Sequence, residues 1–285
     1  MDQRSYACAW LSAALWLAAC EAASHAADSR SDAISPPIAA LELVLTPQAG
    51  DHPLDVQIRR LQQRIPRSRV QAEELDRLGW SFVARAREQN DPGSYNLVLQ
   101  CALAIEAIEP NSHAALLLRG HALQSLHHFV EAEQVARRLV AERGLAFDFG
   151  LLGDVLVDRG SLDEAVASYQ RMMDMRPDTH AYSRAAHVRY LKGDLPGALA
   201  AMQVAARSAS VRNGESFAWT WAKLAGYQLQ SGDAEAAQSS VQRALEVSPD
   251  SFHALRAQAS IWLARGDPER AIPPLRRAAE HSPHP

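Results

Sequence analysis

The sequence predicts an all-α protein, a solenoid of stacked helix-turn-helix hairpins, and three observations carry that prediction. From about Leu54 onward apolar residues recur at three- and four-residue spacing, the signature of amphipathic helices, and nothing alternates like a strand for long. Small residues recur with a long period: Ala132, Ala165, Ala198, Ala237 and Ala271 are separated by 33, 33, 39 and 34 residues, and Gly160, Gly193, Gly232 and Gly266 precede four of them. Large apolar residues recur in step with these. Self-similarity at such a period marks a solenoid, which overrides any count of domains from length alone.

Taken in order, the chain opens with an apolar stretch from about Ser5 to Ala19. That is short for a helix that must cross ~30 Å of hydrocarbon. Arg4 in a brief polar start and small residues at the end give the pattern of an export signal, read and then removed. Leu17-Ala18-Ala19-Cys20 resembles the lipobox of bacterial lipoproteins. The resemblance implies a signal peptide over 1–19, a lipid on Cys20, and a membrane-anchored protein facing the periplasm. An ordinary signal cut near Ser24-His25-Ala26 is the alternative and gives a soluble periplasmic protein; a soluble cytoplasmic protein is a third reading. Of three cysteines, Cys8 lies in the signal and Cys20 carries the lipid, so Cys101 is left without a partner and stability must come from packing.

Residues 20–53 are rich in Ala, Ser, Asp and Pro and read as a flexible tether, in which the apolar run Ile38 to Leu45 could dock as a strand or a helical turn. Residues 54–71 read as an N-terminal helix. Six repeats follow, at 72–112, 113–145, 146–178, 179–217, 218–251 and 252–285. Their eighth positions are Gly79, Gly120, Gly153, Ala186, Ala225 and Ala259, all small, because two helices of a hairpin approach to ~8–10 Å only where the contact point lacks bulk. Their fourth positions, Leu75, Leu116, Phe149, Tyr182, Trp221 and Leu255, are large enough to fill the space between hairpins. This pattern resembles the tetratricopeptide repeat, which implies a right-handed α-solenoid.

Helix ends carry their own signals. Ser161-Leu162-Asp163-Glu164 has the spacing of a capping box, and Asp194, Asp233 and Asp267 stand where an N-cap acceptor is wanted. Pro268 suits a first helical turn, while Pro110, Pro177, Pro249 and Pro283 close second helices. Two repeats are stretched, the first through "REQNDPGSYN" and the fourth through "SASVRNGES", giving longer helices or projecting loops. Arg119, Arg189, Gln228 and Gln258 take positions where apolar residues are usual. Pro273 and Pro274 fall inside the last helix, where each ordinarily costs ~3 kcal/mol.

In the tetratricopeptide family the first helices of successive repeats line a concave groove. Carried onto this chain, its groove-facing positions are Asp76, Trp80, His121, Asp154, Asp158, His180, Arg184, His187, Tyr190, Trp219, Lys223 and Arg256. Arg184, Lys223 and Arg256 would form a ladder of one cation per repeat, suited to an extended acidic peptide or a carboxylate terminus. The family's chaperone-tail clamp needs Asn at position 9, where this chain has Trp80, His121, Asp154, His187, Gly226 and Ser260. Trp221 and Trp262 read as core, Trp80 and Trp219 as binding anchors. In the last repeat Ile272, Leu275, Ala278 and Ala279 form an apolar stripe with no polar capping helix after it, a candidate for self-association and a homodimer.

Catalysis is not expected. Eleven histidines invite a metal, yet His180 and His187 lie ~10 Å apart along one helix, too far for one ion. No H-E-x-x-H, G-x-S-x-G, phosphate loop or C-x-x-C is present, and no cofactor is implied. Nucleic acid is disfavoured by a net charge of −4 with no dense cationic stripe. The expected function is a non-catalytic scaffold or adaptor in the bacterial cell envelope, holding an extended segment or helix of another envelope or secreted protein. The alternative is a self-associating structural protein.

Overall fold

The computed structural model describes residues 37–280, and the described residues form fourteen α-helices and no strand. The signal reading over 1–19 and the lipobox at Cys20 lie outside them. Two helices, α1 (Pro37–Leu45) and α2 (Pro53–Arg64), lead into six hairpins. These are α3 (Ala72–Glu88) with α4 (Ser94–Ile108), α5 (His113–Ser125) with α6 (Phe129–Glu142), and α7 (Ala146–Asp158) with α8 (Leu162–Met175). There follow α9 (Thr179–Leu191) with α10 (Leu195–Ser208), α11 (Gly214–Gln230) with α12 (Ala234–Val247), and α13 (Phe252–Ala264) with α14 (Pro268–Glu280). Residues 40–280 belong to one compact unit.

The start of the body departs from the tether read over 20–53. Within that stretch Pro37–Leu45 is helical, and Ala40 and Val44, four residues apart on one face, are fully buried against Ile58, Leu75 and Leu78. Gln62 fastens the end of α1 by donating from Nε2 to the Val44 and Thr46 carbonyls at 2.7 and 2.8 Å. The following helix ends at Arg64 rather than running to 71, because Ile65 precedes Pro66 and is held extended at φ −78°, ψ 109°.

Hairpin closure follows from the small residues. A Cβ at Gly153 would strike the Tyr169 ring of its own hairpin, whereas at Gly79 and Gly120 it would first strike Leu118 and Leu151 on the next hairpin's first helix, so these two glycines also set how hairpins stack. Ala132, Ala165, Ala198, Ala237 and Ala271 on the second helices are buried. The turns between paired helices need a left-handed residue, and Gly160, Gly193, Gly232 and Gly266 supply it at φ between 75° and 87°. In the second hairpin His127 takes that place at φ 64°.

Asp194, Asp233 and Asp267 cap their helices as the sequence suggests, accepting from the N–H groups of Gly197, Ala236 and Arg270 at 2.9, 2.9 and 3.1 Å. The capping box at Ser161 does not form, since its side chain makes no bond to the helix end. Three of the four unusual polar positions are satisfied at their tips: Arg119 pairs with Glu106 at 3.1 Å, Arg189 with Asp194 at 3.0 Å, and Gln228 accepts from Ser240 at 2.7 Å. Both stretched repeats become longer helices. The extra residues extend α3 at its C-terminal end to Glu88 and α11 at its N-terminal end back to Gly214, so that each has 17 residues.

Trp262 is only partly buried and is flanked by Arg265 and Arg270, whose guanidinium carbons lie 5.4 and 4.9 Å from its ring. It is a rim residue with cationic neighbours, not core. Trp221, also partly buried, packs against the clusters around Leu224 and Ala218, with the Arg243 guanidinium 4.9 Å from its ring.

Candidate functional site

First helices lie beside one another along the stack: α3 against α5, α5 against α7, α7 against α9, and α11 against α13. Between α9 and α11 the closest bridge is made by side chains, with the Tyr190 and Tyr227 rings stacked at 5.0 Å. A cavity of about 300 Å³ there gathers Asp154, His180, Arg184, His187, Trp219 and Lys223, six of the twelve groove-facing residues expected from the sequence. A second, of about 380 Å³, adjoins it and takes in Trp80 and His121 beside the same Asp154 and Arg184. A third, of about 330 Å³, continues from His187 and Lys223 to Tyr190 and Arg256. Asp76 and Asp158 line none of the three.

The middle of the groove is a fixed polar wall. Arg184 grips Asp154 with two bonds, Nε to Oδ1 at 2.8 Å and Nη2 to Oδ2 at 2.6 Å, and the Tyr169 hydroxyl donates to the same Oδ1 at 2.8 Å. Burial pushes the Tyr169 phenol well above its ordinary range, so it stays a donor. A bidentate pair this enclosed is charge-neutral and geometrically locked. Arg184 is therefore not a rung of a cation ladder. Its charge is already satisfied by Asp154, one repeat earlier, and the expectation of three equivalent free cations is corrected to Lys223 and Arg256.

On one side of the wall the lining is aromatic. Trp80 is 37% exposed and packs on His121 with ring centroids 5.7 Å apart, while Tyr95 meets the same imidazole edge-on at 6.1 Å. Arg87 Nη2 lies 3.2 Å from His121 Nε2, which makes that nitrogen the acceptor. Burial first, and then the Arg87 charge, hold His121 down at about 3. On the other side Lys223 Nζ sits 5.7 Å over Trp219, and the Arg256 guanidinium 5.6 Å over Phe252. Burial, then Lys223 and Arg256, lower His253 to about 4. Burial also lowers His180 and His187 and raises Asp76 and Asp158, the last of which accepts from Gln124 Nε2 at 2.8 Å.

Among the lining residues missed in the sequence, four bear on the chemistry of the groove. Phe147 and His253 stand at the second position of their repeats, a groove-facing place, so the alignment held the signal. Arg87 and Glu215 come from the two stretched segments, outside any repeat position. They line the same cavity although they belong to the first and the fifth hairpin: the extension of α3 and that of α11 converge on it. Burial raises Glu215, and Arg87 opposes the shift.

At the far end the predicted stripe divides between two faces. Ile272 and Leu275 are 52% and 42% exposed, and Ala279 is exposed with them. Ala278 is buried, because Ala271, Pro274 and Ala278 form the face turned inward. Among the described residues no cluster of His, Cys, Asp and Glu could hold a metal ion, and no helix is long and apolar enough to cross a membrane.

Comparison with known proteins agrees with this architecture. The family described as "Tetratricopeptide repeat" matches residues 151–212 and 223–285. No curated protein sequence matches the chain. Among solved structures it is similar to TTC0263, a thermophilic repeat protein of this family from Thermus thermophilus, at 20% identity and TM-score 0.57 over 68% of this chain and all (100%) of that one. It is similar also to a chain of the APC/C hetero-tetramer Cut9-Hcn1, at 17% identity and TM-score 0.58, over 86% of this chain and 44% of that one.

Proposed function

Because this chain is built of tetratricopeptide repeats stacked as an α-solenoid, and such repeats serve in general as non-catalytic scaffolds for protein–protein interaction, we propose that it holds an extended segment or helix of a partner in the groove lined by α3, α5, α7, α9, α11 and α13. The observation that supports this most is the run of three adjoining cavities, together spanning residues from Trp80 to Ser260. All six first helices contribute side chains to their lining. Their backbones are fixed by packing before any partner arrives, so little ordering entropy remains for the scaffold to lose and weak contacts over several repeats accumulate.

The partner is a protein of the bacterial cell envelope or a secreted one, and this chain is anchored there through a lipid on Cys20. That part of the proposal is supported by Leu17-Ala18-Ala19-Cys20 behind a short apolar stretch. A self-associating role is the second reading, favoured by the exposed Ile272 and Leu275 on α14.

One preparation tests both. A photo-reactive phenylalanine analogue is placed at Phe147 or Tyr190 in the groove, or at Val166 or Gln170 on the outer helix α8, in cells that make the protein. Groove positions are expected to yield one shared heterologous adduct that the α8 positions do not, from a chain whose mature N-terminus carries acyl groups on Cys20. Adducts from α8 alone would remove the groove reading. Adducts to a second copy of the chain would favour self-association, and an unmodified N-terminus would remove the anchor.

A further inference from the structure

The groove is divided into two chemically unlike halves, and the division specifies an occupant. In the half before the Asp154–Arg184 wall, Trp80 and Phe147 expose apolar faces over Leu117 and Leu151. In the half beyond it, the cavity that holds Lys223 and Arg256 is lined by no Asp or Glu among the described residues. Neither cation has a carboxylate within ion-pair distance among those residues, whereas Arg184 has one. Each instead lies over an aromatic ring, Trp219 or Phe252, which leaves its charge available to an incoming anion.

We propose that the groove takes an extended segment carrying a bulky apolar side chain, seated between Trp80 and Phe147, and one or two carboxylates at least about six residues away, seated on Lys223 and Arg256. This rests on the groove reading above and names its ligand. The spacing follows from the fold. Phe147 is on α7 and Lys223 on α11, two first-helix steps of ~10 Å or more each because α9 and α11 meet through side chains, so an extended chain needs at least about six residues to cover them. Charge complementarity favours acid over base at the second position. Lys223 and Arg256 crowd each other, and Arg256 is one of the two causes, after burial, that lower the Lys223 ammonium. His253 and His187 face the same cavity, neutral near pH 7, and add hydrogen-bond donors without adding repulsion. The wall between the halves is already neutral and asks nothing of the ligand but a backbone.

The test is selection of a phage-displayed random dodecamer library on the whole purified protein, followed by fluorescence anisotropy of the enriched peptides on wild type, Trp80→Ala, and Lys223→Glu with Arg256→Glu. All three positions are exposed, so folding, checked by circular dichroism, is expected to survive. The expected consensus has an aromatic or large aliphatic residue and an Asp or Glu at least about six positions away. Affinity is expected to fall about tenfold or more in each variant and to weaken as salt rises. Peptides that are basic or without bias, yet lose affinity in the variants, would overturn the ligand assignment and leave the groove reading standing. No enrichment, or peptides indifferent to all variants, would overturn both.

Discussion

At the scale of single residues, the same amino acid does opposite work in two first helices. Gly153 lies under Tyr169, and a Cβ there would press on the Tyr169 ring at Cε1 and Cδ1. The ring cannot retreat freely, because its hydroxyl is held by Asp154 at 2.8 Å. Gly226, at the groove surface, has no heavy atom within 4 Å of the place where a Cβ would stand. Alanine is the better helix former by ~1 kcal/mol at either site, but overpacking costs ~1–3 kcal/mol where the neighbours are fixed. Urea unfolding is therefore expected to show Gly153→Ala less stable than wild type by about 1–2 kcal/mol and Gly226→Ala more stable by up to ~1 kcal/mol. Equal effects at the two glycines would mean that the close approach of α7 and α8 is not set by this contact.

Among the helices, α14 is the one whose sequence works against its conformation. It runs unbroken from Pro268 to Glu280 although Pro273 and Pro274 lie inside it. Each proline removes a donor, leaving the Glu269 and Arg270 carbonyls without their helical partners. What holds the helix is the inward face of Ala271, Pro274 and Ala278 against α13, with Arg277 pairing to Asp250 at 2.7 Å. Pro273 is exposed and contributes nothing to that face. Replacing it with alanine restores one hydrogen bond and is expected to slow amide exchange across α14 by about tenfold or more. The main thermal transition is expected to move little, because α14 packs chiefly on α13 and a weakly connected unit of a stacked array opens on its own. Unchanged exchange would show that the proline is accommodated without strain.

Across the whole molecule, titration and stability are coupled through the groove. His121 and His253 are held near 3 and 4, and His180 and His187 are shifted the same way, in each case by burial first and then by nearby cations. The groups facing them are Arg87, Arg184, Lys223 and Arg256 on the cationic side and Asp154, Asp158, Asp178 and Glu215 on the acidic side. Histidines with lowered values stay neutral in the folded chain while those of the unfolded chain take up protons below about 6.5. The unfolded state then binds more protons, so stability falls as pH falls from about 6.5 toward 4. The carboxyl groups of Asp76, Asp158 and Glu215 are raised and act in the opposite sense, but only from their ordinary values of 3.8 and 4.5 upward, so the histidines dominate the first unit and a half below neutrality. Thermal melts are expected to give a lower Tm at about pH 5 than at about pH 7, with a shallower difference in His121→Gln. A Tm that rises on acidification would contradict the burial of these imidazoles.

Recurrent side-chain size determined the fold by itself. Small eighth and twentieth positions dictate where helices touch, and this is local enough to read from spacing; the helices begin at 72, 113, 146, 179 and 252 where the repeats begin, and only α11 starts early, at 214. The identity of the groove face was legible for the same reason, down to Phe147 and His253 at second positions. What the linear pattern could not supply was pairing between repeats. The neutralisation of Arg184 by Asp154, 30 residues away, and the meeting of Arg87 with Glu215 from two insertions depend on how hairpins rotate against one another. That rotation is the sum of many packing contacts, so only the tertiary structure decided which groove charges are already satisfied and which are left for a partner.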